Sequence, residues 1–231
     1  MASPEPARKS LPCRLIVVGG HTRSIGKTQL VCDLIAALPN AKWLAGKITQ
    51  YGHGVCATNG HECDCAPTEH IVAFDWESSG EGSTDSARFL QAGAARSFWL
   101  RTKQGYLAEG MPPLREALAS VEESAGRDGL NVIVESNSLL QFVRPSLYVT
   151  VLDATRDDFK DSARHMLDRA DVFVFRRGLD EGAITQPPWM QLPAQLLRQK
   201  PSVLQRETDP LPEPLFQLVK RILESPATVL L

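Results

Sequence analysis

Short apolar runs alternate with longer amphipathic stretches along most of the chain. The runs are rich in β-branched residues and predict strands at 15–18, 41–49, 71–75, 97–101, 131–135, 147–153 and 172–175. The amphipathic stretches predict helices at 30–38, 87–94, 112–124, 161–170, 194–198 and 214–224. Strands that alternate with helices are typical of a mostly parallel sheet flanked by helices on both faces. The pattern therefore predicts an α/β fold.

The same pattern predicts one large domain with two distinct ends. Residues 1–12 are rich in proline and alanine and are predicted to form a disordered leader. Residues 13–231 have the length of a single domain with a substantial core. Prolines punctuate 186–214, and 186–231 is predicted to be a C-terminal helical extension that ends in an amphipathic helix.

One stretch, from Leu15 to Leu30, combines a buried strand, a glycine-containing loop and the start of a helix. Free backbone N–H groups at a helix start, together with the helix dipole, attract anions. In a phosphate-binding loop the lysine of Gly-Lys-Thr reaches the β- and γ-phosphates, and the threonine hydroxyl ligates Mg²⁺. The sequence therefore predicts a nucleotide site. Its loop residues are Gly20, His21, Thr22, Arg23, Ser24, Ile25, Gly26, Lys27 and Thr28.

The spacing of this loop differs from the common one by a single residue. The pattern G-x-x-x-x-G-K-[ST] would place its first glycine at position 21, where the chain has His21, and the nearest glycine is Gly20. The alternative interpretation is a strand, turn and helix that contain Gly-Lys-Thr without binding phosphate. The strand before the loop and the helix after it favour phosphate binding.

Charged residues stand at the ends of three other predicted strands. Ligands of open α/β sheets bind at the carboxyl ends of the strands, so these residues are candidates for chemistry. Glu135 ends an apolar run like the acid that a Walker B strand delivers to Mg²⁺, and Asp75 is a second candidate for the same ion. Lys47 is expected to contact a phosphate or a substrate. The alternatives are carboxylates that cap turns or pair with arginines, and a solvated lysine.

A loop after Lys47 is rich in cysteine and histidine. Thiolates and imidazoles at this density suit Zn²⁺ or another late transition metal. The spacing C-x₆-C-x-C with an internal histidine is not that of a standard structural zinc site, so a mobile loop with free thiols is the alternative. The candidate ligands are Cys56, His61, Cys63 and Cys65, with His53 nearby.

Composition excludes several classes of function. The net charge is −2, which does not favour nucleic acid as the main partner. Apolar runs are too short for a membrane span, and the first residues lack the apolar core of a secretion signal. Cysteines in such a chain are expected to be reduced thiols. A cytoplasmic protein that contacts neither membrane nor nucleic acid is therefore expected.

Over residues 13–177 these motifs resemble the MinD/BioD-type P-loop nucleotidases, which implies a P-loop NTPase fold. The first similar family is that of the molybdopterin-guanine dinucleotide biosynthesis adaptors (MobB), which bind GTP. The resemblance rests on Gly26-Lys27-Thr28, on Lys47 with His53-Gly54, on Asp85-Ser86 followed by Ala92-Gly93-Ala94, and on Val134-Glu135. It implies a Mg²⁺-dependent nucleotide-binding adaptor, a protein partner in cofactor biosynthesis or a metalloenzyme, and a homodimer.

The second similar family is dethiobiotin synthetase, an ATP-dependent enzyme. Its loop G-T-x-T-x-x-G-K-T is similar to residues 20–28, and its Lys-Pro-x-Gln-x-Gly segment is similar to residues 47–52, with Ile48 in place of the proline. The guanine-specific pattern Asn-Lys-x-Asp is not visible, because Arg176 and Arg177 follow the strand where it would begin. The choice between ATP and GTP stays open.

The motifs thus predict a slow NTPase that uses Mg²⁺. The resemblance implies that it acts in the maturation of a molybdenum cofactor or another metallocofactor. Lys27, Lys47 and Glu135 are the expected catalytic groups. No motif assigns an arginine finger, and Arg23 is the simplest candidate because it lies in the loop. One alternative is an ATP-dependent ligase in which Lys47 holds a carboxylated or phosphorylated intermediate. The other is a metal-binding interaction protein with a vestigial nucleotide site. The reason for this alternative is His21, which stands where the usual pattern has its first glycine.

Overall fold

The computed structural model describes residues 12–51, 71–125, 129–177 and 199–230. Within these ranges the chain forms one sheet of nine strands. Eight of them lie in the order β3-β4-β2-β5-β1-β6-β7-β8, and β9 pairs with β1. All neighbours are parallel except β3 with β4 and β9 with β1, which are antiparallel. The predicted mostly parallel α/β fold is confirmed.

The elements have the following bounds. The strands are β1 (Pro12–Gly20), β2 (Leu44–Tyr51), β3 (Val72–Trp76), β4 (Arg96–Lys103), β5 (Leu130–Glu135), β6 (Leu147–Asp153), β7 (Val172–Arg177), β8 (Ser202–Leu204) and β9 (Val229–Leu230). The helices are α1 (Lys27–Ala37), α2 (Asp85–Gln91), α3 (Leu107–Ala125), α4 (Asp161–Arg164) and α5 (Glu213–Glu224).

Helices cover both faces of the sheet because its central strands are apolar on both sides. In β1, Ile16 and Val18 pack on the side of α1, α2 and α5, whereas Leu15 and Val17 pack on the side of α3. Successive side chains of a strand point to opposite faces, so one unbroken apolar run fills two cores. The flanking by helices on both faces that the sequence predicted is confirmed.

Two helices differ from the sequence prediction at their starts. Helix α2 begins at Asp85 rather than at residue 87, because its cap is Thr84, whose Oγ1 accepts from the Ala87 amide at 3.1 Å. Helix α3 begins at Leu107 rather than at Pro112. Leu107 and a methionine one turn later are both buried, and this burial fixes the extra turn ahead of the prolines.

The last two predicted elements also differ. Helix α4 ends at Arg164, and a short 3-10 turn at Leu167–Arg169 replaces the rest of the predicted helix 161–170. In the C-terminal region the sequence predicted helices alone, whereas β8 extends the sheet and β9 pairs with β1. Such short edge strands leave too little apolar pattern for recognition. Of the predicted disordered leader, 1–12, the structure describes only Pro12, which begins β1.

Candidate functional site

The phosphate-type loop lies between the end of β1 and the start of α1. Gly26 is the N-cap of α1 and adopts a left-handed φ of 83°, which only glycine adopts without strain. Its carbonyl accepts the first helical bond, from the Leu30 amide at 3.0 Å. A Cβ atom at this position would lie 2.8 Å from Nε of Arg176. Both the backbone angle and the space therefore require glycine here.

Lys27, the first residue of α1, folds back over the loop. Its Nζ donates to the Thr22 carbonyl at 2.6 Å. Burial, together with the charges of nearby Lys47 and Lys160, lowers the pKa of Lys27 to about 8, although Glu135 opposes the shift. An anion at the loop would favour the charged form of this lysine.

Behind the loop, three predicted residues meet. Thr28 Oγ1 donates to Oε2 of Glu135 at 2.7 Å, and Lys47 Nζ donates to Oε1 of the same carboxylate at 2.6 Å. Glu135 is only 3% exposed, so these bonds compensate a buried charge. The register of the sheet explains the meeting, because Glu135 lies opposite both Val18 of β1 and Lys47 of β2.

Asp85, at the start of α2, is a fourth member of this cluster that the sequence analysis did not assign to the site. Its Oδ2 lies 2.6 Å from Lys47 Nζ, and its side chain also bonds to Thr28. Although burial alone raises the pKa of Asp85, Lys47 and Thr28 lower it. Conversely, burial alone lowers the pKa of Lys47, but Glu135 and Asp85 raise it. The Asp85-Ser86 motif was the available signal, but the sequence analysis used it only for a family resemblance and gave Asp85 no role in the site.

The structure does not bring Asp75 to this cluster. Asp75 lies on edge strand β3, is 59% exposed, and pairs with Arg101. In the sheet it is opposite Trp99, and β4 and β2 separate it from Glu135 by three strand spacings, about 14 Å. Asp85, rather than Asp75, is the aspartate that contacts Thr28 and Lys47.

His21 lies inside the protein rather than in the loop opening. It is fully buried, its ring packs against Phe159 with centroids 5.3 Å apart, and its amide donates to the Val151 carbonyl at 3.3 Å. Burial lowers the pKa of His21 to about 4, so the ring is neutral near pH 7. The unusual residue is thus accommodated by the core beside β6.

The loop after β6 supports the first half of the phosphate-type loop. The Lys160 amide donates to the His21 carbonyl at 2.9 Å, and Thr22 Oγ1 donates to Asp158. Arg156 pairs with Asp158 at 3.1 Å and also reaches the Arg23 carbonyl at 3.5 Å. The sequence analysis identified Arg23 but none of the residues after β6, because no motif marks them.

Arg176, at the end of β7, holds the second half of the loop. It is 4% exposed, and its guanidinium donates to the Gly26 carbonyl at 2.8 Å and to the Gln205 carbonyl at 3.2 Å. Burial lowers the pKa of Arg176, and Asp33 opposes the shift. Sequence analysis noted this arginine only as a departure from the guanine motif.

A chain of side-chain bonds along α1 continues from Arg176. The Gln205 amide donates to Oδ2 of Asp33 at 2.8 Å, and the Gln29 amide donates to Oδ1 of the same carboxylate at 2.8 Å. Arg88 of α2 donates to the Gln29 carbonyl oxygen at 2.9 Å. The loop is therefore linked to the helix that carries Asp85.

This geometry decides the fold class. The chain has the P-loop NTPase fold. It is similar in structure to HypB from Helicobacter pylori in complex with nickel, with a TM-score of 0.51 and 14% identity over 92% of this chain and 89% of that one. At this identity the likeness shows the fold alone. No protein-family model matches the sequence, and no curated protein matches it either.

Two further solved structures are similar at lower scores. One is LpxK from Aquifex aeolicus in complex with ATP, with a TM-score of 0.47 and 14% identity over 85% of this chain and 55% of that one. The other is the 54 kDa signal recognition particle protein from Aeropyrum pernix K1 in complex with GDP, with a TM-score of 0.45 and 14% identity over 95% and 47%. Scores below 0.5 add nothing to the fold assignment.

The cysteine-rich loop of this P-loop protein lies outside the described residues, and so do its candidate ligands Cys56, His61, Cys63 and Cys65. Across the described ranges, no group of three or more His, Cys, Asp and Glu side chains is arranged to hold a metal ion. Within the same ranges, no helix is both long and apolar enough to cross a membrane.

Proposed function

We propose that the chain binds a nucleoside triphosphate with Mg²⁺ and hydrolyses it slowly, as an adaptor in the maturation of a molybdenum cofactor or another metallocofactor. The observation that carries the proposal is the cluster of Thr28, Lys47, Asp85 and Glu135 directly behind the Gly26 turn. Amides at the start of α1 and the ammonium group of Lys27 would hold the phosphates.

The donor set fits Mg²⁺. Thr28, Asp85 and Glu135 offer hydroxyl and carboxylate oxygens from α1, α2 and β5, and Mg²⁺ prefers such hard ligands. When bound, the ion would neutralise charge on the β- and γ-phosphates. Because the residues converge from three elements, the site depends on the position of α2 relative to the sheet.

Lys47 is suited to respond to the terminal phosphate. It lies 2.6 Å from each of two carboxylates, which keeps it charged. Cation binding at Asp85 and Glu135 would compete with Lys47 for the same oxygens. The displaced ammonium group could then bind a phosphate. The position of Lys47 on β2 would therefore differ between the nucleotide-bound and the nucleotide-free protein.

The metallocofactor role is supported by where the cysteine-rich segment is attached. Strand β2 ends at Tyr51, four residues after Lys47, and the segment with Cys63 and Cys65 follows before β3 begins at Val72. The Tyr51 carbonyl accepts from the Gln104 amide at 2.8 Å, so this end of β2 is fixed to the end of β4. A movement of Lys47 on nucleotide binding would therefore occur in the strand that leads directly into the cysteine-rich segment and any metal that it binds.

An ATP-dependent ligase is the second candidate function. The position of Lys47 beside the proposed Mg²⁺ ligands favours it, since a lysine there is placed to stabilise an anionic intermediate. The two functions differ in their need for a second substrate. Hydrolysis by the protein alone supports the adaptor, whereas turnover that requires a small amine or acid supports the ligase. The third alternative, a metal-binding interaction protein with a vestigial nucleotide site, was based on His21. The burial of this side chain in the core favours an intact phosphate loop.

The test is calorimetric titration of the protein with ATP and with GTP, each with and without Mg²⁺. We expect binding that depends on Mg²⁺. The two affinities show whether the protein prefers ATP or GTP. Lys27→Ala should weaken binding at least about a hundredfold, because it removes a charged phosphate contact. Lys220→Ala, an exposed lysine of α5, is the matched control and should bind like the wild type. Equal affinity of Lys27→Ala and wild type would refute the proposed site.

A further inference from the structure

A depression of about 540 Å³ opens beside the P-loop, between its first half and the loop after β6. Contacts fix both walls, since the Lys160 amide bonds to the His21 carbonyl and Thr22 bonds to Asp158. This volume is in the range of small-molecule sites. Its lining residues are Thr22, Arg23, Ser24, Arg156, Asp158, Phe159 and Lys160.

The lining carries an excess of positive charge. Arg23, Arg156 and Lys160 face a single carboxylate, that of Asp158. This carboxylate is already engaged, because it accepts from Thr22 and from two nitrogens of Arg156 at 3.1 and 3.2 Å. Partial burial and the charges of Arg23 and Lys47 lower the pKa of Lys160, which indicates a site of positive potential.

The depression adjoins the proposed phosphate site and shares Thr22, Arg23 and Ser24 of the P-loop with it. The side chains expected to hold the phosphates and Mg²⁺, namely Lys27 and Thr28 of α1 and Glu135 of β5, do not line it. Residues 22–24 form one wall, and they precede the Gly26 turn. A ligand here would therefore lie alongside a bound nucleotide rather than in its place.

We propose that this depression binds a second ligand, a small molecule with a phosphate or carboxylate group, beside the nucleotide. Arg156 and Lys160 would contact the anion, and the Phe159 ring would cover its apolar part. The inference rests on the proposed function, since it assigns the second ligand of the same site. It also gives the ligase candidate a place for its acidic substrate.

The test uses protein loaded with Mg²⁺ and a non-hydrolysable triphosphate analogue in buffer of physiological ionic strength, which screens weak surface binding. Inorganic phosphate and citrate are titrated separately, and amide NMR shifts of residues 22–24 and 156–160 are followed. We expect saturable shifts with at least one probe. Lys160→Gln and Arg156→Gln should weaken binding about tenfold each, because each removes one charge-assisted contact. Arg164→Gln is the control. Arg164 stacks on Phe159, with Cζ 5.5 Å from the ring centroid, but it does not line the depression.

The outcomes separate this inference from the proposed function. Response to phosphate alone or to citrate alone supports the site and identifies the anion. Absence of saturable shifts overturns it, and so does equal binding in wild type and both glutamine variants. Anion binding that disappears when the analogue is loaded also overturns it, because the anion then occupies the nucleotide's own site. The same titration of Lys27→Ala without nucleotide tests the depression even if nucleotide binding fails.

Discussion

Arg176 is predicted to be a positioning residue of the P-loop. Its guanidinium is buried and bonds to the Gly26 carbonyl and to the Gln205 carbonyl. Arg176→Ala removes both bonds. The Gly26 carbonyl keeps the Leu30 amide, but the Gln205 carbonyl loses a charged donor. Hydrogen bonds to charged groups contribute about 1.5–3 kcal/mol each, and the cost of desolvating the guanidinium offsets part of the sum.

We therefore expect Arg176→Ala to lower the free energy of unfolding by about 3 kcal/mol. Arg176→Lys keeps the charge but not the planar fork that reaches two carbonyls, so its loss should be about half as large, roughly 1.5 kcal/mol. The adjacent Arg177 is the matched control. Its side chain is 61% exposed and pairs with Glu207 at 3.6 Å, so Arg177→Ala should change stability by no more than about 0.5 kcal/mol.

Two measurements test the prediction. Urea unfolding at equilibrium gives the stability differences, and titration with the preferred nucleotide gives the affinity of each folded variant. Arg176→Lys should remain folded yet bind nucleotide about tenfold more weakly, because Gly26 is no longer held in place. A stability of Arg176→Ala equal to that of Arg177→Ala would refute the role of the bonds. Normal affinity in a destabilised Arg176→Lys would show that the arginine is structural only.

Three further predictions concern other parts of the chain. Asp85→Asn should remove most of the Mg²⁺ dependence of nucleotide binding in calorimetry, whereas Asp75→Asn should leave it intact, and the reverse result would contradict the assignment of the ion to α2. Because the folded-state pKa of His21, about 4, lies below the ordinary 6.5, the unfolded chain takes up the proton first as the pH falls, so stability is lost between about pH 6.5 and pH 4. Urea unfolding at pH 7 and pH 5 should show a loss of about 2 kcal/mol that His21→Phe lacks, and equal losses in the two proteins would count against this burial effect. Purified wild type should contain zinc that Cys63→Ser with Cys65→Ser reduces, as measured by elemental analysis; protein without stoichiometric metal would mean that the cysteine segment has another role.

The sequence predicted those parts of the site that lie in one local pattern. Lys27 and Thr28 follow a strand and begin a helix, and Glu135 ends an apolar run, so each position is apparent from its neighbours. Parallel pairing then brings Lys47 of β2 to Glu135 of β5. This step was also predictable, because carboxyl ends of parallel strands meet at one edge of a sheet.

The sequence could not show the direction of an edge strand. The hydrophobic pattern of β3 is the same whether it runs parallel or antiparallel, and only its pairing with β4 reveals that it is reversed. The sequence could not show the strand order either, which places Asp75 on the outer strand, three strand spacings from Glu135. Asp85 was not assigned to the site because acidic residues are common at helix starts, where they act as caps, so its position did not indicate a ligand.

Arg176 and Lys160 were not identified because their roles depend entirely on distant contacts. Arg176 lies 150 residues from the glycine it holds, and Lys160 bonds through its backbone to a loop residue near the start of the chain. No spacing rule connects such positions. An arginine directly after an apolar strand was nevertheless a signal. If such a charged group is buried, it needs a hydrogen-bond partner elsewhere in the chain.

These distant contacts explain how the loop tolerates His21. A glycine usually permits the first turn of a P-loop, but here the first half is fixed from outside, by the Lys160 amide and by Asp158 through Thr22. Arg176 fixes the second half at Gly26. Because the segment after β6 holds one end of the loop and β7 holds the other, the histidine ring can pack into the core without disturbing the helix start. The shape of this P-loop therefore depends on residues outside its motif, and the departure from the usual spacing is no argument against phosphate binding.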